Sequence, residues 1–413
     1  MIHCENIRAG LIGRKLGHSF SPEIHSFLAD YEYRLYEMEE NEVAAFLKDC
    51  PLDALNVTIP YKKTVMPYLR YISDEAKRIG SVNTIIKRAD GLYGYNTDYY
   101  GFSYMLKKSG IEITGKKVLI LGSGGASVTV NAVLADMKAR EIVVISRSGK
   151  DNYDNIEKHS DADVIVNTTP VGMYPENGKS PVALKAFPKL SGVLDLIYNP
   201  SETRLLYDAK GLGIPYINGL SMLVAQGKRA AEIFTGEPIP DGEIEKIIKA
   251  IEDRTKNIVL IGMPGAGKST LGRILSEKLG RVFVDTDEII TKKAKMPIPE
   301  IFSLYGEDKF RELETEAITE AGKMSGAVIA TGGGIVTREE NRYSVKQNSA
   351  VIWLKRDISL LPLDGRPISQ KNNMSELYEK RAPLYEDFAD FSVDVSENAE
   401  ETAEKILEKL RRM

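Results

Sequence analysis

The chain has 413 residues, 43% of them hydrophobic and 28% charged, with a formal net charge of -4, a length that divides into roughly two or three domains of about 100 to 200 residues each. The balance is that of a globular protein in water, and its slight negative sign argues against a nucleic-acid coat or a membrane-surface binder, leaving small anionic molecules as the expected partners. Two cysteines, Cys4 and Cys50, without metal-ligand spacing support neither a disulfide framework nor a zinc site; with no export signal and no run of about 18 apolar residues, the expected location is the cytoplasm.

From Leu11 to about Gly101, short apolar runs ("ALNVTIP", "SVNTIIK") alternate with amphipathic stretches ("EIHSFLADY", "NEVAAFLKDC"), the pattern of an α/β layer. In "LGHSFSPEIH", Ser19 and Ser21 flank a turn ahead of Pro22, and the plain structural reading is an N-cap cluster. "NVTIPYKKT" sets Asn56, Thr58 and Lys62 at the end of a strand, and "GYNTDYYGF" supplies Asn96 and Asp98. A lysine held against an aspartate stays charged and can exchange a proton with a nearby hydroxyl, whereas an isolated surface lysine is merely solvated.

A second unit opens at "KKVLILGSGGASVTVNAVLADM", read as strand, tight turn and helix, followed by continuous apolar strands in "EIVVIS", "ADVIVNTT" and "GVLDLIY". Such runs are those of buried parallel strands, so a doubly wound, Rossmann-like sheet is expected. The turn offers Gly122, Gly124 and Gly125, but Ser127 stands where a dinucleotide fingerprint carries its third glycine. The second strand ends in Ser146-Arg147-Ser148 rather than in an acid, and a guanidinium there favours the 2′-phosphate of NADP over the bare ribose of NAD. "GIPYINGLSMLVAQGKRAAEIFTG" is expected to close the unit as a helix, and "EPIPDGEIEKIIKAIEDRTK" suits a short helical linker.

The third unit begins with "NIVLIGMPGAGKST", in which Gly262, Gly267, Lys268 and Ser269 sit between an apolar strand and a helical run, the spacing of a triphosphate-binding loop. Its backbone N–H groups turn inward on phosphate, Lys268 adds a point charge and Ser269 a magnesium-ligating hydroxyl. In "VFVDTDEII", Asp285 and Asp287 are expected on one face of a strand end because strand period is two. "GEDKFRELE" places Arg311 on a helix three residues before Glu314, and "ATGGGIV" gives an accessible turn at Gly332 to Gly334. "DGRPIS" and "EKRAPLY" add Arg366 and Arg381, both expected in loops.

Taken in order, these motifs resemble two families. Residues from about Ile7 to Gly236 resemble shikimate dehydrogenase through "HSFSP", "NVTIPYK", "VNT", "NTD", "VNTTPVGM", "DLIYNPSET" and "MLVAQG". That resemblance implies Lys62 and Asp98 as the catalytic pair, with Ser19, Ser21, Thr58, Asn83, Tyr198 and Gln226 around the substrate. It further implies that Gly122, Ser123, Gly124, Gly125, Ala126, Ser127, Ser146, Arg147 and Ser148 hold NADP, with Met173, Gly219 and Met222 near the nicotinamide. Residues from about Asn257 to Met413 resemble shikimate kinase through "GMPGAGKS", "DTD", "FRELE", "GGG" and "RAPLY". The resemblance implies Gly262, Pro264, Gly265, Ala266, Gly267, Lys268, Ser269 and Thr270 around ATP, and Ser269 with Asp285 at magnesium. Asp287 falls on the phosphorylated hydroxyl, Arg311, Arg381 and Gly332 to Gly334 around shikimate, and Arg366 in a short lid that lacks the further arginine many members carry.

The expected architecture is therefore α/β throughout. A substrate domain over 1–101, completed by helices around 219–236, is joined to a Rossmann-like NADP domain over 102–218; a linker over 237–256 leads to a P-loop NTPase-type kinase domain with a parallel sheet over 257–413. The expected function is reduction of 3-dehydroshikimate to shikimate and its phosphorylation, with NADP(H), ATP and Mg2+, small-molecule partners, no nucleic acid or membrane, and a homo-oligomer left open. Two other readings compete: a quinate-type, NAD-using first half, and a half reduced to a nucleotide-sensing regulatory module.

Overall fold

The computed structural model describes residues 6–17, 19–361 and 374–413. Two compact units emerge, one comprising residues up to Met173 together with Lys179–Ala250, the other Tyr174–Gly178 with Ile251–Met413. Among the described residues no helix is long and apolar enough to cross a membrane.

The first unit holds two sheets. In the first sheet, β1 (Arg8–Gly13) pairs in parallel with β2 (Glu32–Glu37) and β3 (Ala54–Val57). The antiparallel pair β5 (Thr84–Arg88) and β6 (Gly91–Tyr95) follows, and β4 (Tyr71–Ile72) lies at the far edge, giving the order β2-β1-β3-β5-β6-β4. The second sheet is wholly parallel, in the order β11-β10-β9-β7-β8, with β7 at Lys117–Leu121, β8 at Glu141–Ile145, β9 at Val164–Asn167, β10 at Gly192–Asp195 and β11 at Tyr216–Ile217. Strand β7 is buried along its whole length, as its unbroken apolar run requires of a strand covered on both faces. The "YI" of β11 was expected inside a helix; it pairs with β10 instead, and the helix begins only after Gly219, whose backbone lies so close to Leu196 that an added Cβ would overlap its carbonyl oxygen.

Helices α1 (Ser21–Leu28), α2 (Glu40–Lys48) and α3 (Asp74–Ile79) serve the first sheet, and α5 (Gly125–Asp136) and α6 (Arg204–Gly211) the second. Helix α4 (Asp98–Ser109) packs on α7 (Leu220–Thr235) at van der Waals closeness: a Cβ on Gly101 would meet the Met222 carbonyl at 2.6 Å, and one on Gly227 would meet Ile24 of α1 at 2.9 Å. The segment expected as a linker is largely helix α8 (Gly242–Thr255), whose Ile244, Ile247, Ile248 and Ile251 are all buried, the i, i+3, i+4, i+7 stripe of a helix packed on a core.

The second unit is one parallel sheet, β13-β14-β12-β15-β16, formed by β12 (Asn257–Ile261), β13 (Phe283–Asp285), β14 (Val328–Ala330), β15 (Ser349–Lys355) and β16 (Phe391–Asp394). Its helices are α9 (Lys268–Leu279), α10 (Thr286–Ala294), α11 (Ile298–Ala321, broken at Gly306 with φ 79°), α12 (Glu340–Lys346), α13 (Met374–Phe388) and α14 (Ala399–Arg412). In both parallel sheets the strand that comes first in the chain is flanked on either side by strands that follow it: β7 lies between β9 and β8, β12 between β14 and β15. A crevice opens at the carboxyl end of such a strand, and each glycine loop sits there.

Candidate active sites

The first unit contains a cavity of about 460 Å³ at the carboxyl ends of β1 and β3. Ser19, Ser21, Thr58, Lys62, Asn83, Asp98, Tyr198 and Gln226 all line it, together with Ala126, Gly219 and Met222. The expected N-cap role of the serines is not what the helix uses: Phe20 holds the cap position without a side-chain cap bond, and Ser19 Oγ accepts from the Ser21 N–H at 3.2 Å. Both residues border the cavity instead.

Lys62 and Asp98 form the centre. Lys62 Nζ donates to Asp98 Oδ2 at 2.5 Å, with side-chain exposures of only 16% and 8%, so this lysine is not a solvated surface cation. The other carboxylate oxygen accepts from Asn83 Nδ2 at 2.9 Å, and Asn83 Oδ1 accepts from the Thr97 N–H at 2.7 Å. Asp98 is the first residue of α4, where the exposed amides of the first turn favour negative charge. Asn56 stands behind this group, accepting from the Tyr33 hydroxyl at 2.8 Å and donating to Thr84 Oγ1 at 3.2 Å.

The glycine turn of this unit is open where a ligand would approach: a Cβ on Gly124 or Gly125 would meet nothing within 4 Å, while Gly122, at φ 102°, is pressed against Thr168 and Thr169. Ser127 is buried and donates to the Gly124 carbonyl at 2.6 Å, holding the turn. Arg147 is exposed just past β8, between Ser146 and Ser148, and Ser123 lies in the turn itself. Met173 is 45% exposed and does not border the cavity.

The second unit has a cavity of about 550 Å³ whose two ends differ in chemistry. One end is the loop: Pro264, Gly265, Gly267, Lys268, Ser269 and Thr270 line it, while Gly262 and Ala266 lie outside the lining. Gly262 has φ 145° and Gly267 φ 91°, backbone that favours glycine. Lys268 Nζ donates to the carbonyls of Gly262 and Met263 at 2.8 and 2.9 Å, and Ser269 Oγ donates to Asp285 Oδ2 at 2.6 Å.

The other end is built from Asp287, Arg311, Glu314, Arg381 and the glycine turn. Asp287 is not on the strand with Asp285: β13 stops at Asp285, which caps α10 by accepting from the Asp287 N–H at 3.0 Å, and Asp287 lies in the first turn of the helix. Burial, with the neighbouring Asp285 charge, pushes the Asp287 carboxyl up to about 6. Arg311 Nη1 donates to Glu314 Oε2 at 2.6 Å in a pair exposed by only 7% and 1%, and burial raises the Glu314 carboxyl. Arg381 is not in a loop either: it is on α13, which runs through Pro383, and its Nη1 donates to the Gly333 carbonyl at 3.0 Å. Asp287 Oδ1 and Glu314 Oε1 are buried without a hydrogen-bond partner, and both converge on Gly332, where a Cβ would stand 3.2 Å from the first and overlap the second. Buried acceptors left without donors are costly. Arg366 lies outside the described residues.

Comparison with known proteins gives these cavities a family. Residues 11–85 match the model for the shikimate dehydrogenase substrate binding domain, and residues 264–411 the model for shikimate kinase. A shikimate dehydrogenase (NADP(+)) of Clostridium perfringens (strain SM101 / Type A) is 41% identical over 266 residues, covering 59% of this chain and 98% of that enzyme. The chain belongs to the shikimate dehydrogenase family. Its last third carries a shikimate kinase domain, so two enzymes are fused in one chain. Among solved structures, a chorismate mutase/shikimate 5-dehydrogenase fusion protein from Clostridium acetobutylicum is 39% identical with a TM-score of 0.57, over 60% of this chain and 98% of that one. A shikimate 5-dehydrogenase from Thermus thermophilus, solved in complex with NADP(H) and shikimate, is 30% identical with a TM-score of 0.53, over 59% of this chain and 99% of that one.

Three parts of the dehydrogenase and kinase cavities escaped the motifs. Lys15 borders the first; nothing in "GRKLG" distinguishes a cavity lysine from a solvated one. Phe302 and Phe310, with ring centroids 4.5 Å apart, wall the second beside Ile298 and Pro299, and in sequence they read as core positions of an amphipathic helix. Arg356, directly after β15, also lines the kinase cavity.

Proposed function

We propose that the dehydrogenase half reduces 3-dehydroshikimate to shikimate with NADPH, and that the kinase half transfers the γ-phosphate of ATP to the 3-hydroxyl of shikimate. The domains proposed for this are 1–101 with the helix around 219–236 for substrate, 102–218 for NADP, and 257–413 for the kinase, after a connecting segment at 237–256. The observation that carries the reading is that both cavities offer the same ligand chemistry, buried groups matched to hydroxyls beside a fixed cation. The printed descriptions of the relatives, NADP(+) for the Clostridium enzyme and NADP(H) with shikimate for the Thermus one, support the choice of cofactor and substrate.

In the first half, Ser19, Ser21, Thr58, Asn83 and Gln226 hold the substrate's hydroxyls and carboxylate, and Tyr198 closes one side. Gly122–Ser127, with Arg147 between two serines for a 2′-phosphate, would hold NADPH, which would supply the hydride. Lys62 gives a proton to the carbonyl oxygen as the C–H bond forms, and Asp98 holds the ammonium in place. In the second half, Asp287 accepts the hydrogen bond of the attacking hydroxyl, Arg311 and Arg381 hold the carboxylate, and Lys268 and Arg366 neutralise charge on the transferring group. Ser269 Oγ and Asp285 Oδ2, 2.6 Å apart, would hold a magnesium ion, which would draw charge from the phosphate oxygens.

The test is a coupled assay on the full chain with 3-dehydroshikimate, NADPH and ATP, read as NADPH oxidation and shikimate 3-phosphate formation. Lys62→Ala is expected to lower NADPH oxidation by about 10²- to 10⁴-fold and spare phosphorylation of added shikimate, with Lys268→Ala doing the reverse. Faster oxidation of quinate with NAD than of shikimate with NADP would overturn the first assignment, and loss of both activities in either variant would overturn the separation of the two sites.

A further inference from the structure

We propose that Arg356 binds the polyphosphate of the nucleotide in the kinase half, as a second cation on the glycine loop beside Lys268. The inference rests on the kinase reading of this half and adds a residue to it. Strand β15 ends at Lys355, whose ammonium is held over the Trp353 ring, 4.3 Å from its centroid. The next side chain, Arg356, borders the cavity at its loop end, and its Nη1 donates to the Gly265 carbonyl at 3.3 Å. Among the described residues Arg356 makes no ion pair, unlike Arg311, which is held by Glu314 and Glu307.

Position separates the cations of this cavity into two groups. Arg311 and Arg381 contact the acid and glycine-turn end, through Glu314 and the Gly333 carbonyl. Lys268 and Arg356 contact the loop, through the carbonyls of Gly262, Met263 and Gly265. A neutral carbonyl at 3.3 Å is a weak acceptor for a guanidinium, whereas a phosphate takes two parallel charge-assisted bonds from it. The stretch "DISLLPLDG" from Asp357 to Gly365 contains no lysine or arginine. Arg356 is thus the last basic residue in the sequence before Arg366, and it contacts the loop at the Gly265 carbonyl.

The test uses the full-length chain and its variants Arg356→Ala and Arg356→Lys, with MgADP binding followed by calorimetry and both kinase KM values by steady-state kinetics. Loss of a charge-assisted phosphate contact is expected to weaken MgADP binding and raise the ATP KM by about tenfold or more in Arg356→Ala, with partial recovery in Arg356→Lys. The shikimate KM, the dehydrogenase rate and the unliganded unfolding temperature are expected to stay at wild-type values. Unchanged MgADP affinity would overturn the inference. So would an equal loss of affinity for adenosine, which would make Arg356 a contact of the base, or a fall in unliganded stability of the kinase half, which would make it a support of the loop. A wild-type chain that binds no MgADP would overturn the kinase reading itself.

Discussion

Asp287 shows how a single residue can serve function against stability. Its carboxyl is pushed up to about 6 by burial and by Asp285, so the folded kinase half holds a proton there that the unfolded chain releases near the ordinary carboxylate value of about 4. Stability contributed by this group is therefore lost as pH rises from about 4 to 6, and above that the buried charge costs on the order of 2 to 3 kcal/mol. Asp287→Asn is expected to raise the urea midpoint of the kinase half at pH 7.5 and to leave it unchanged at pH 4, while lowering phosphorylation by about 10²-fold or more. In the wild type, kcat/KM for shikimate is expected to fall below about pH 6 as the hydrogen-bond acceptor is protonated. A midpoint that drops in Asp287→Asn at pH 7.5 would contradict the burial cost. The side-chain type and its spacing from the loop were legible in "DTD"; the elevated proton affinity was not, because it comes first from burial and then from the charges of Asp285 and, to a lesser degree, Glu314.

At the scale of elements, the glycine turn after β14 owes its composition to the helix beneath it. A Cβ on Gly334 would overlap Arg311 Nη1 of α11, although the backbone at Gly334 has an ordinary φ of -99°. Gly334→Ala is accordingly expected to displace the Arg311 guanidinium and raise the shikimate KM by about tenfold or more, with MgADP affinity unchanged, since the loop after β12 is untouched. An unchanged shikimate KM would remove Arg311 from the binding site. Two side chains of the kinase cavity lie on elements other than those expected from sequence, each for a local reason. Asp287 belongs to a helix because Asp285 caps it, ending the strand two residues early. Arg381, expected in a loop, is helical because α13 continues past Pro383; buried Leu377, Arg381, Tyr385 and Phe388 on one face hold that helix against the sheet.

At the scale of the whole molecule, each unit has its own hydrophobic clusters: Phe102, Ile120 and Leu194 lie in one of the dehydrogenase half, and Val259, Ile329 and Trp353 in one of the kinase half. Separate cores predict that ligands act on separate unfolding transitions. In calorimetry, NADP at about 100 times its Kd is expected to stabilise the dehydrogenase transition by about 2.7 kcal/mol and leave the other in place, with MgADP doing the converse. A single transition moved equally by either ligand would show the two cores to be one cooperative unit. The amino-acid sequence by itself determined the α/β class, the two glycine loops after their strands, and the residue types of both sites, because strand and helix periodicity and loop chemistry are properties of contiguous residues. Only the tertiary structure decided that Lys62 meets Asp98 in a buried pair, that Asp287 and Glu314 turn donorless oxygens onto Gly332, and that Arg356 reaches the phosphate loop. Those juxtapositions join residues from different elements, and their energies depend on burial and on the neighbours that folding supplies.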